Sequence, residues 1–263
     1  MPDSFADKVF LVTGASSGIG EALVRELISR GAFVAGMARS KDALQGLEKQ
    51  FPGKFLPLVG DVTQESDCKK SVEETIRKTG RMDGLIHNAG VTLRALAHET
   101  KTEVFESLMN VNYYGLVHLY RHSYPHLVKN QGHVVGISSM MGKYSTQFRS
   151  GYSASKHALQ AFLNSIRLEL APTGVHVMTV SPGFVKTAIS HNALNAEGKK
   201  HGQMDEATEA GMEPSVVARA IADGIEARKR DLYPAGGKEK FALFLSRFAP
   251  GMLDRLLLKI KVT

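Results

Sequence analysis

The sequence predicts an α/β fold, a single-domain, doubly wound parallel sheet with helices on both faces. The first observation is that short apolar runs, typical of strands buried on both faces, alternate with longer amphipathic stretches of helical periodicity. The second is a glycine-rich segment where the first of these runs meets the first amphipathic stretch. No linker, internal repeat or low-complexity tract interrupts the pattern.

The apolar runs predict seven strands. They are 9–12, 33–38, 55–59, 85–86, 134–137, 175–180 and, as a last strand, 231–234. We therefore expect residues 1–235 to form the sheet domain. Within it, a segment of about 184–212 without strand signals is expected to cover the substrate, because ligands of such sheets bind beyond the carboxyl ends of the strands. Residues 236–263 are expected to form a basic helical extension.

Composition narrows the class of protein. Hydrophobic residues make up 43% and charged residues 22% of the 263 residues, as in soluble globular proteins. The single cysteine, Cys68, excludes an internal disulfide and a cysteine-based metal site, and no metal is expected. No apolar run approaches the ~20 residues that span a bilayer, and the first seven residues lack a signal-peptide pattern. We therefore expect a cytoplasmic protein.

The net charge of +7 is concentrated at one end. Residues 228–263 hold nine basic and three acidic residues, so the rest of the chain is close to neutral. A basic surface for nucleic acid is therefore not expected.

The glycine-rich segment after the first strand predicts a dinucleotide site. Gly14, Gly18 and Gly20 allow a tight turn and a close approach of the backbone to a pyrophosphate, and the following helix offers free N–H groups. The alternative is a glycine-rich turn that binds nothing. If the site is real, the other residues of the turn that contact the dinucleotide are Ser16, Ser17 and Ile19.

The end of the second strand indicates which dinucleotide binds. An NAD site places a carboxylate there to accept from the ribose 2′-hydroxyl, whereas Ala38 occupies the position and Arg39 follows it. A guanidinium suits a 2′-phosphate, so the sequence favours NADP(H). The alternative is that Arg39 only solvates a loop.

Polar residues also follow the third and fourth strands. Asp61 is a candidate acceptor for the adenine amino group, an N-cap for the next helix, or both. Asn88 is expected to bond across the strand ends, where Ala89 and Gly90 let the backbone approach a ligand. His87 is interpreted as structural.

Tyr152 and Lys156 are four residues apart in a predicted helix, and so lie on one face. A phenol has a pKa of about 10 and is a poor acid or base at neutral pH. An ammonium at ~4 Å, at an effective dielectric of ~20, would favour the phenolate by ~4 kcal/mol, roughly three pKa units before desolvation. Such a phenol suits general acid–base catalysis. Alone, such a pair is common and is more typical of two ordinary, half-exposed helix residues, so the catalytic interpretation depends on the rest of the chain.

Together these motifs resemble the short-chain dehydrogenase/reductase family, with its Rossmann-like fold, over about residues 8–190. The ordered set is specific, including the thirteen-residue spacing from Ser139 to Tyr152. His87 departs from the family's more frequent Asn, and the Asp of NAD-dependent members is absent at Ala38. The matching motifs are Thr13-Gly14-x-x-x-Gly18-x-Gly20, Asp61, Asn88-Ala89-Gly90, Asn112, Ser138-Ser139, Tyr152-x-x-x-Lys156 and Pro182-Gly183.

The resemblance implies catalytic roles. Tyr152 would be the acid in reduction and the base in oxidation, and Lys156 would lower its pKa and bind the nicotinamide ribose. Ser139 would bind the substrate oxygen, and Asn112 would hold a water that links Lys156 to solvent. Ser138 is expected to be a buried strand-end residue. The remaining cofactor contacts implied are Val62, Pro182, Gly183, Val185 and Thr187.

The substrate side of the site is expected to be apolar. Met141, Tyr144, Phe148 and Phe184 suggest a pocket for a lipophilic ketone, aldehyde or secondary alcohol, although each is equally suited to packing in the core.

The extension has an apolar stripe at helical spacing between basic residues, from Phe241 to Phe248 and again from Met252 to Ile260. It suits peripheral contact with a membrane surface, packing on its own domain, closure of the substrate mouth, or a subunit contact.

The sequence thus predicts an NADP(H)-dependent oxidoreductase that transfers a hydride between nicotinamide and a small carbonyl or alcohol substrate. The competing hypotheses are a non-catalytic dinucleotide-binding sensor or regulatory protein, and an epimerase or dehydratase on the same scaffold. The family resemblance further implies a homodimer or homotetramer through the helices after Lys101 and Tyr152.

Overall fold

A computed structural model describes residues 4–203 and 205–259. Its centre is a seven-stranded, all-parallel sheet of order β3-β2-β1-β4-β5-β6-β7, which confirms the predicted fold class. The strands are β1 (Val9–Thr13), β2 (Phe33–Ala38), β3 (Phe55–Val59), β4 (Gly84–His87), β5 (His133–Ile137), β6 (His176–Val180) and β7 (Asp231–Leu232).

Helices cover both faces of the sheet. Buried side chains of α1, α2 and α8 pack on one face, and those of α3, α5 and α6 pack on the other. The helices are α1 (Gly18–Ser29), α2 (Lys41–Gln50), α3 (Glu65–Thr79), α4 (Thr102–Met109), α5 (Gly115–Asn130), α6 (Ser150–Glu169), α7 (Glu206–Glu209), α8 (Pro214–Glu226), α9 (Gly237–Phe248) and α10 (Pro250–Leu257).

Strand order explains where a site can form. The chain runs outward from β1 to β3 on one side and from β4 to β7 on the other, so the connections leave in opposite directions at the β1–β4 pair. This leaves a crevice beyond the carboxyl ends of these two strands, the usual ligand position in open α/β sheets. Thr13 and His87, the last residues of β1 and β4, lie at its floor.

Predicted and observed strands agree to within two residues at each end. β4 is longer than predicted and begins at Gly84, where a Cβ would lie 2.3 Å from the ring of Phe10 on the neighbouring strand. A glycine extends the strand here because it leaves room for that buried ring, which an apolar run alone does not indicate.

The C-terminal extension forms two short helices, α9 and α10, as its periodicity predicts. Leu245 and Leu253 are buried, while Phe244 and Phe248 are exposed. Ile260, which completes the predicted apolar stripe, lies outside the described residues. Within 4–203 and 205–259, none of the helices combines the length and apolarity required to cross a bilayer.

Candidate active site

The glycine-rich segment forms a tight turn between β1 and α1. Gly14 and Gly18 have φ values of +63° and +56°, in the left-handed region that glycine tolerates best. A Cβ on Gly20 would lie 2.0 Å from the carbonyl oxygen of Gly14. The start of α1 is therefore pressed against the turn at a distance that only glycine permits, which is the close packing that a pyrophosphate cradle needs.

Hydrogen bonds from β4 hold this turn. The hydroxyl oxygen of Thr13 accepts from the backbone N–H groups of Asn88 and Ala89, both at 3.0 Å. Asn88 Nδ2 donates to the carbonyl oxygens of Thr13 (3.1 Å) and Gly14 (3.2 Å). The expected bonding of Asn88 across the strand ends is thus confirmed. Thr13 matches the family motif, but only the structure shows that its hydroxyl binds the backbone after β4.

His87 is structural, as predicted. It is fully buried, and its Nδ1 lies 3.2 Å from the hydroxyl of Thr13, which already accepts two N–H groups and so donates its own hydrogen to the ring. Burial, reinforced by the nearby Lys156, lowers the pKa of His87 to about 3. The imidazole is therefore neutral at physiological pH and holds the β1–β4 floor.

The two residues proposed for the adenosine end lie at the ends of their strands. Arg39 directly follows β2 and is exposed, next to the buried Ala38. Asp61 does not cap the next helix: α3 begins at Glu65 with Gln64 as its N-cap, and the Asp61 carboxylate instead accepts from the N–H of Thr63 at 2.9 Å. The N-cap alternative was wrong because a short turn separates Asp61 from the helix.

Ser139 and Tyr152 meet at the carboxyl end of β5. Tyr152 is buried on α6, and the Ser139 side chain lies close enough to its phenol to lower the pKa of that phenol. The Ser139 oxygen accepts from the N–H of Met141 at 3.1 Å, which fixes its position. Ser138 is buried, as predicted, and donates to the carbonyl oxygen of Lys156 at 3.2 Å.

Lys156 lies on the same face of α6 as Tyr152, but the electrostatics differ from the prediction. Its Nζ lies 5.8 Å from the centroid of the Tyr152 ring and donates to the carbonyl oxygen of Ile137 at 2.8 Å. Burial raises the pKa of Tyr152, while the Ser139 side chain and the charge of Arg149 oppose that rise. Burial likewise lowers the pKa of Lys156 to about 7. Desolvation therefore outweighs the ammonium–phenolate attraction that the spacing suggested.

Asn112 ties α6 to the loop after β4. It lies in a single π-helical turn (Asn110–Tyr114) between α4 and α5. Its amide accepts from the N–H of Val91 and donates to the carbonyl oxygen of Val91, both at 2.9 Å, and donates to the Ser155 hydroxyl at 2.8 Å. Ser155 in turn donates to the carbonyl oxygen of Tyr152 at 2.8 Å. Asn112 thereby positions the helix turn that carries the phenol.

These groups line a cavity of about 710 Å³. Most predicted catalytic and substrate residues lie in its wall, while the glycine turn, Arg39 and Asp61 lie outside that lining. Asn112 lies behind the wall, as its full burial indicates. The predicted site residues in the wall are Ile19, Asn88, Gly90, Ser139, Met141, Tyr144, Tyr152, Lys156, Pro182, Gly183, Phe184, Val185 and Thr187. Those outside it are Gly14, Ser16, Ser17, Gly18, Gly20, Arg39, Asp61, Val62, Ala89, Asn112 and Phe148.

Phe148 departs from its predicted position. It lines a second pocket of about 330 Å³ with Arg94, Leu96 and Ala196. Its backbone has a φ of +61°, and its carbonyl oxygen accepts from the N–H of Ala95. This turn gives Phe148 a backbone conformation that the sequence does not indicate.

The cavity wall also contains charged residues that sequence reasoning missed. Arg94, Arg149 and Asp205 come from the loop after β4, the start of α6 and the 184–212 loop. Arg149 precedes Tyr152 by three residues. Helical spacing therefore predicts Arg149 on the same face as Tyr152, by the argument applied to Lys156. Nothing local marks Arg94 or Asp205, which approach only in the fold.

The C-terminal helices complete the wall. Lys238, Glu239 and Ala242 of α9 and Leu257 of α10 line the cavity. Of the four alternatives for this extension, closure of the substrate mouth is the one that this geometry favours.

The arrangement fits a dinucleotide. The glycine turn offers close backbone approach, and Pro182 and Gly183 line the same cavity as Tyr152 and Ser139. Such an arrangement can hold a substrate oxygen and move one proton to or from it. In the part of the chain that the structure describes, no group of His, Cys, Asp or Glu side chains could hold a metal ion.

Comparison with known proteins agrees with this geometry. The family model for short chain dehydrogenase matches residues 8–198. Among curated relatives, dehydrogenase/reductase SDR family member 7B of Xenopus tropicalis is 35% identical over 93% of this chain and 82% of its own length. The SDR family protein 7-like of Anopheles gambiae is 37% identical over 93% of this chain and 80% of its own.

Solved structures show the same fold. A short-chain dehydrogenase from Streptomyces avermitilis superimposes with a TM-score of 0.79 at 29% identity, over 95% of this chain and 93% of its own. A 3-ketoacyl-(acyl-carrier-protein) reductase from Brucella melitensis, complexed with NADH, has a TM-score of 0.79 at 23% identity, over 90% of this chain and all of its own. This chain therefore belongs to the short-chain dehydrogenase/reductase family of nicotinamide-dependent oxidoreductases.

Proposed function

We propose that the protein is an NADP(H)-dependent oxidoreductase that interconverts a lipophilic ketone or aldehyde and the corresponding alcohol. The observation that carries the proposal is the placement of Ser139 and Tyr152 together in the wall of a largely apolar cavity beside the glycine turn. A sensor or regulatory protein has no need of a positioned proton donor at this place.

The residues divide the work of the reaction. A bound nicotinamide supplies or takes up the hydride. Tyr152 donates the proton to the substrate oxygen in reduction and removes it in oxidation, while Ser139 orients that oxygen. Because burial raises its pKa, the phenol is in the acid form that reduction requires at neutral pH.

Lys156 and Asn112 support this proton transfer. When protonated, Lys156 favours the phenolate left after transfer, and Asn112 fixes the helix turn through Ser155. The cofactor preference rests on Arg39, which is exposed where a 2′-phosphate would be recognised, and on Ala38, which offers no carboxylate to the ribose.

The variant Tyr152→Phe tests the function. It should retain NADPH binding and circular dichroism of wild type, while turnover of carbonyl compounds falls by about 10²–10⁴-fold, the usual contribution of a positioned general acid. Tyr124→Phe, which alters an exposed phenol on α5, is the matched control and should keep full activity. Substantial turnover by Tyr152→Phe would assign the proton to another group.

We further infer that the protein is cytoplasmic and contacts anionic membrane surfaces through α9 and α10. The support is a row of exposed apolar side chains, 54% at Phe241, 56% at Phe244 and 70% at Phe248, and 53% at Met252. Exposed basic side chains flank the row, at Lys240, Arg247, Arg255 and Lys259. Basic amphipathic helices of this kind lie on anionic bilayers.

The double variant Phe244→Ser/Phe248→Ser should lose co-sedimentation with phosphatidylserine vesicles. Val216→Ser, which removes an apolar side chain of 57% exposure on α8, should not. Failure of the wild type to sediment with these vesicles would refute membrane contact.

We also infer a homodimer or homotetramer that uses α4, α5 and α6. The exposed Tyr124 of α5 and Leu168 of α6, 42% and 77% accessible, support this because a subunit interface would bury them. Sedimentation velocity should show a species of two or four chains, and a monomer at micromolar concentration would contradict it.

A further inference from the structure

Two guanidinium groups share a single carboxylate in the wall of the active-site cavity. Asp205 forms ion pairs with Arg94 through one carboxylate oxygen and with Arg149 through the other, the latter at 2.8 Å. All three side chains are nearly enclosed, with exposures of 7% for Arg94, 11% for Arg149 and 9% for Asp205. Among the ion pairs of residues 4–203 and 205–259, no other carboxylate contacts either guanidinium.

The cluster therefore carries a surplus positive charge. Arg149 is well supplied with acceptors, since it also donates to the Thr92 hydroxyl and the Leu93 carbonyl oxygen, both at 2.9 Å. Arg94 is less well supplied, because its buried Nε has no acceptor in the described part of the chain. Burial lowers the pKa of both guanidiniums, that of Arg149 to about 10, as expected for cations that lack full compensation.

The surplus positive charge is not needed to anchor the 184–212 loop. Asp205 lies in the 184–212 loop, and its pairing with one arginine would already tie that loop to the body of the protein. A second buried guanidinium adds a further desolvation cost unless another anion offsets it. The adjacent carboxylate, Glu206, is exposed and makes no ion pair with either arginine.

The cluster also lies close to the proposed chemistry. Arg94, Arg149 and Asp205 line the same cavity as Tyr152, and the charge of Arg149 acts on the pKa of the Tyr152 phenol. Apolar side chains, among them Met141, Val185 and Ile189, line the same cavity. A molecule that satisfies this wall has an apolar body and one anionic end.

We propose that Arg94 and Arg149 form an anion subsite, so that the substrate is a carbonyl compound or secondary alcohol carrying a carboxylate or phosphate group. The inference rests on the proposed function, because it specifies the substrate of the same cavity. Arg94 is the specificity-determining residue, because its removal leaves Arg149 and Asp205 as a neutral pair.

Calorimetric binding of three eight-carbon probes tests the subsite without requiring turnover. Octanoate or octyl phosphate should bind the full chain about tenfold or more tightly than 1-octanol, in line with a charge-assisted hydrogen bond. The tighter of the two anions identifies which group the subsite accepts. Equal binding of all three probes would overturn the proposal.

Variants separate recognition from structure. Arg94→Met should reduce the anion-to-octanol preference to about threefold or less, whereas Arg77→Met, at a side chain of 75% exposure on α3, should keep it. Asp205→Asn removes the carboxylate that pairs with both arginines and should increase the preference. A general loosening of the loop would weaken the binding of all three probes alike, so it would not change the anion-to-octanol preference. An equal loss of affinity for all three probes in Arg94→Met, or a decreased preference in Asp205→Asn, would overturn the subsite.

Turnover distinguishes this inference from the proposed function. A series of oxooctanoates and the matching octanones is offered with NADPH and with NADH. Anion preference in binding without turnover of any member would refute the oxidoreductase proposal and leave the subsite standing. Turnover of octanones without anion preference in binding would refute the subsite and leave the oxidoreductase.

Discussion

Substitution of alanine for Gly20 should destabilise the protein, although α1 is a helix. Alanine normally favours a helix over glycine by about 1 kcal/mol. Here its Cβ would lie 2.0 Å from the Gly14 carbonyl oxygen and 2.5 Å from Asn88 Nδ2. The turn must open by about 1 Å or more, and overpacking of this kind typically costs about 1–3 kcal/mol. Because the clash is with backbone, we expect the upper end of that range and a net loss of about 2 kcal/mol.

Gly46→Ala is the matched control. Gly46 lies inside α2, and a Cβ there would have no neighbour within 4 Å. It should therefore stabilise the protein by about 0.5–1 kcal/mol. Because the chain has no tryptophan, urea unfolding is followed by circular dichroism. NADPH affinity should fall about tenfold or more in Gly20→Ala alone. If Gly20→Ala matched Gly46→Ala in stability and bound NADPH normally, the close-packed cradle would be refuted.

Three further predictions concern charge. Arg39→Ala should raise the KM for NADPH by about fivefold or more and leave the KM for NADH unchanged. The reason is that an exposed guanidinium–phosphate pair contributes about 1 kcal/mol or more. Equal effects on both cofactors would exclude a role of Arg39 in binding the 2′-phosphate. Acid should destabilise the protein, because burial lowers the pKa of His87 and His133 to about 3. Between about pH 6.5 and 3 the unfolded chain binds more protons than the folded chain, so the free energy of unfolding falls as pH falls. The decrease is roughly 1.4 kcal/mol per pH unit for each imidazole. His133→Gln should reduce that slope in urea unfolding by about one proton, and an unchanged slope would contradict it. Arg30→Met should lower the free energy of unfolding by about 1–3 kcal/mol, because Arg30 joins α1 to Asp223 and Glu226 of α8. A decrease of less than about 0.5 kcal/mol would contradict a stabilising role for these ion pairs.

The strands, the glycine turn and the order of the site residues were readable from sequence, because each depends on local periodicity or on a fixed offset between residues. Asn88 is such a case: its position at a strand end sufficed to predict bonding across the strand ends, and the structure shows a bond to Thr13 of β1. His87 was likewise interpreted as structural, and the structure buries it fully.

Other features depend on approaches between distant segments. The spacing of Tyr152 and Lys156 predicted a shared face but not the burial that reverses the expected pKa shift, since burial depends on every neighbouring element. Arg94 and Asp205 are 111 residues apart in the sequence, and no local pattern announces their contact. Phe148 was misplaced because a left-handed backbone residue diverts the chain.

Because α9 and α10 contribute to the cavity wall, the residues that select the substrate and those that carry out the reaction lie in different parts of the chain. The proton-handling residues and the glycine turn all lie before residue 160, on the sheet and α6, whereas Ala242 and Leu257 belong to the last tenth of the chain. Amino-acid replacement in that last tenth can therefore reshape what the enzyme accepts while leaving its chemistry intact. Exchange of the C-terminal helices between relatives is thus a direct route to new selectivity on an unchanged catalytic base.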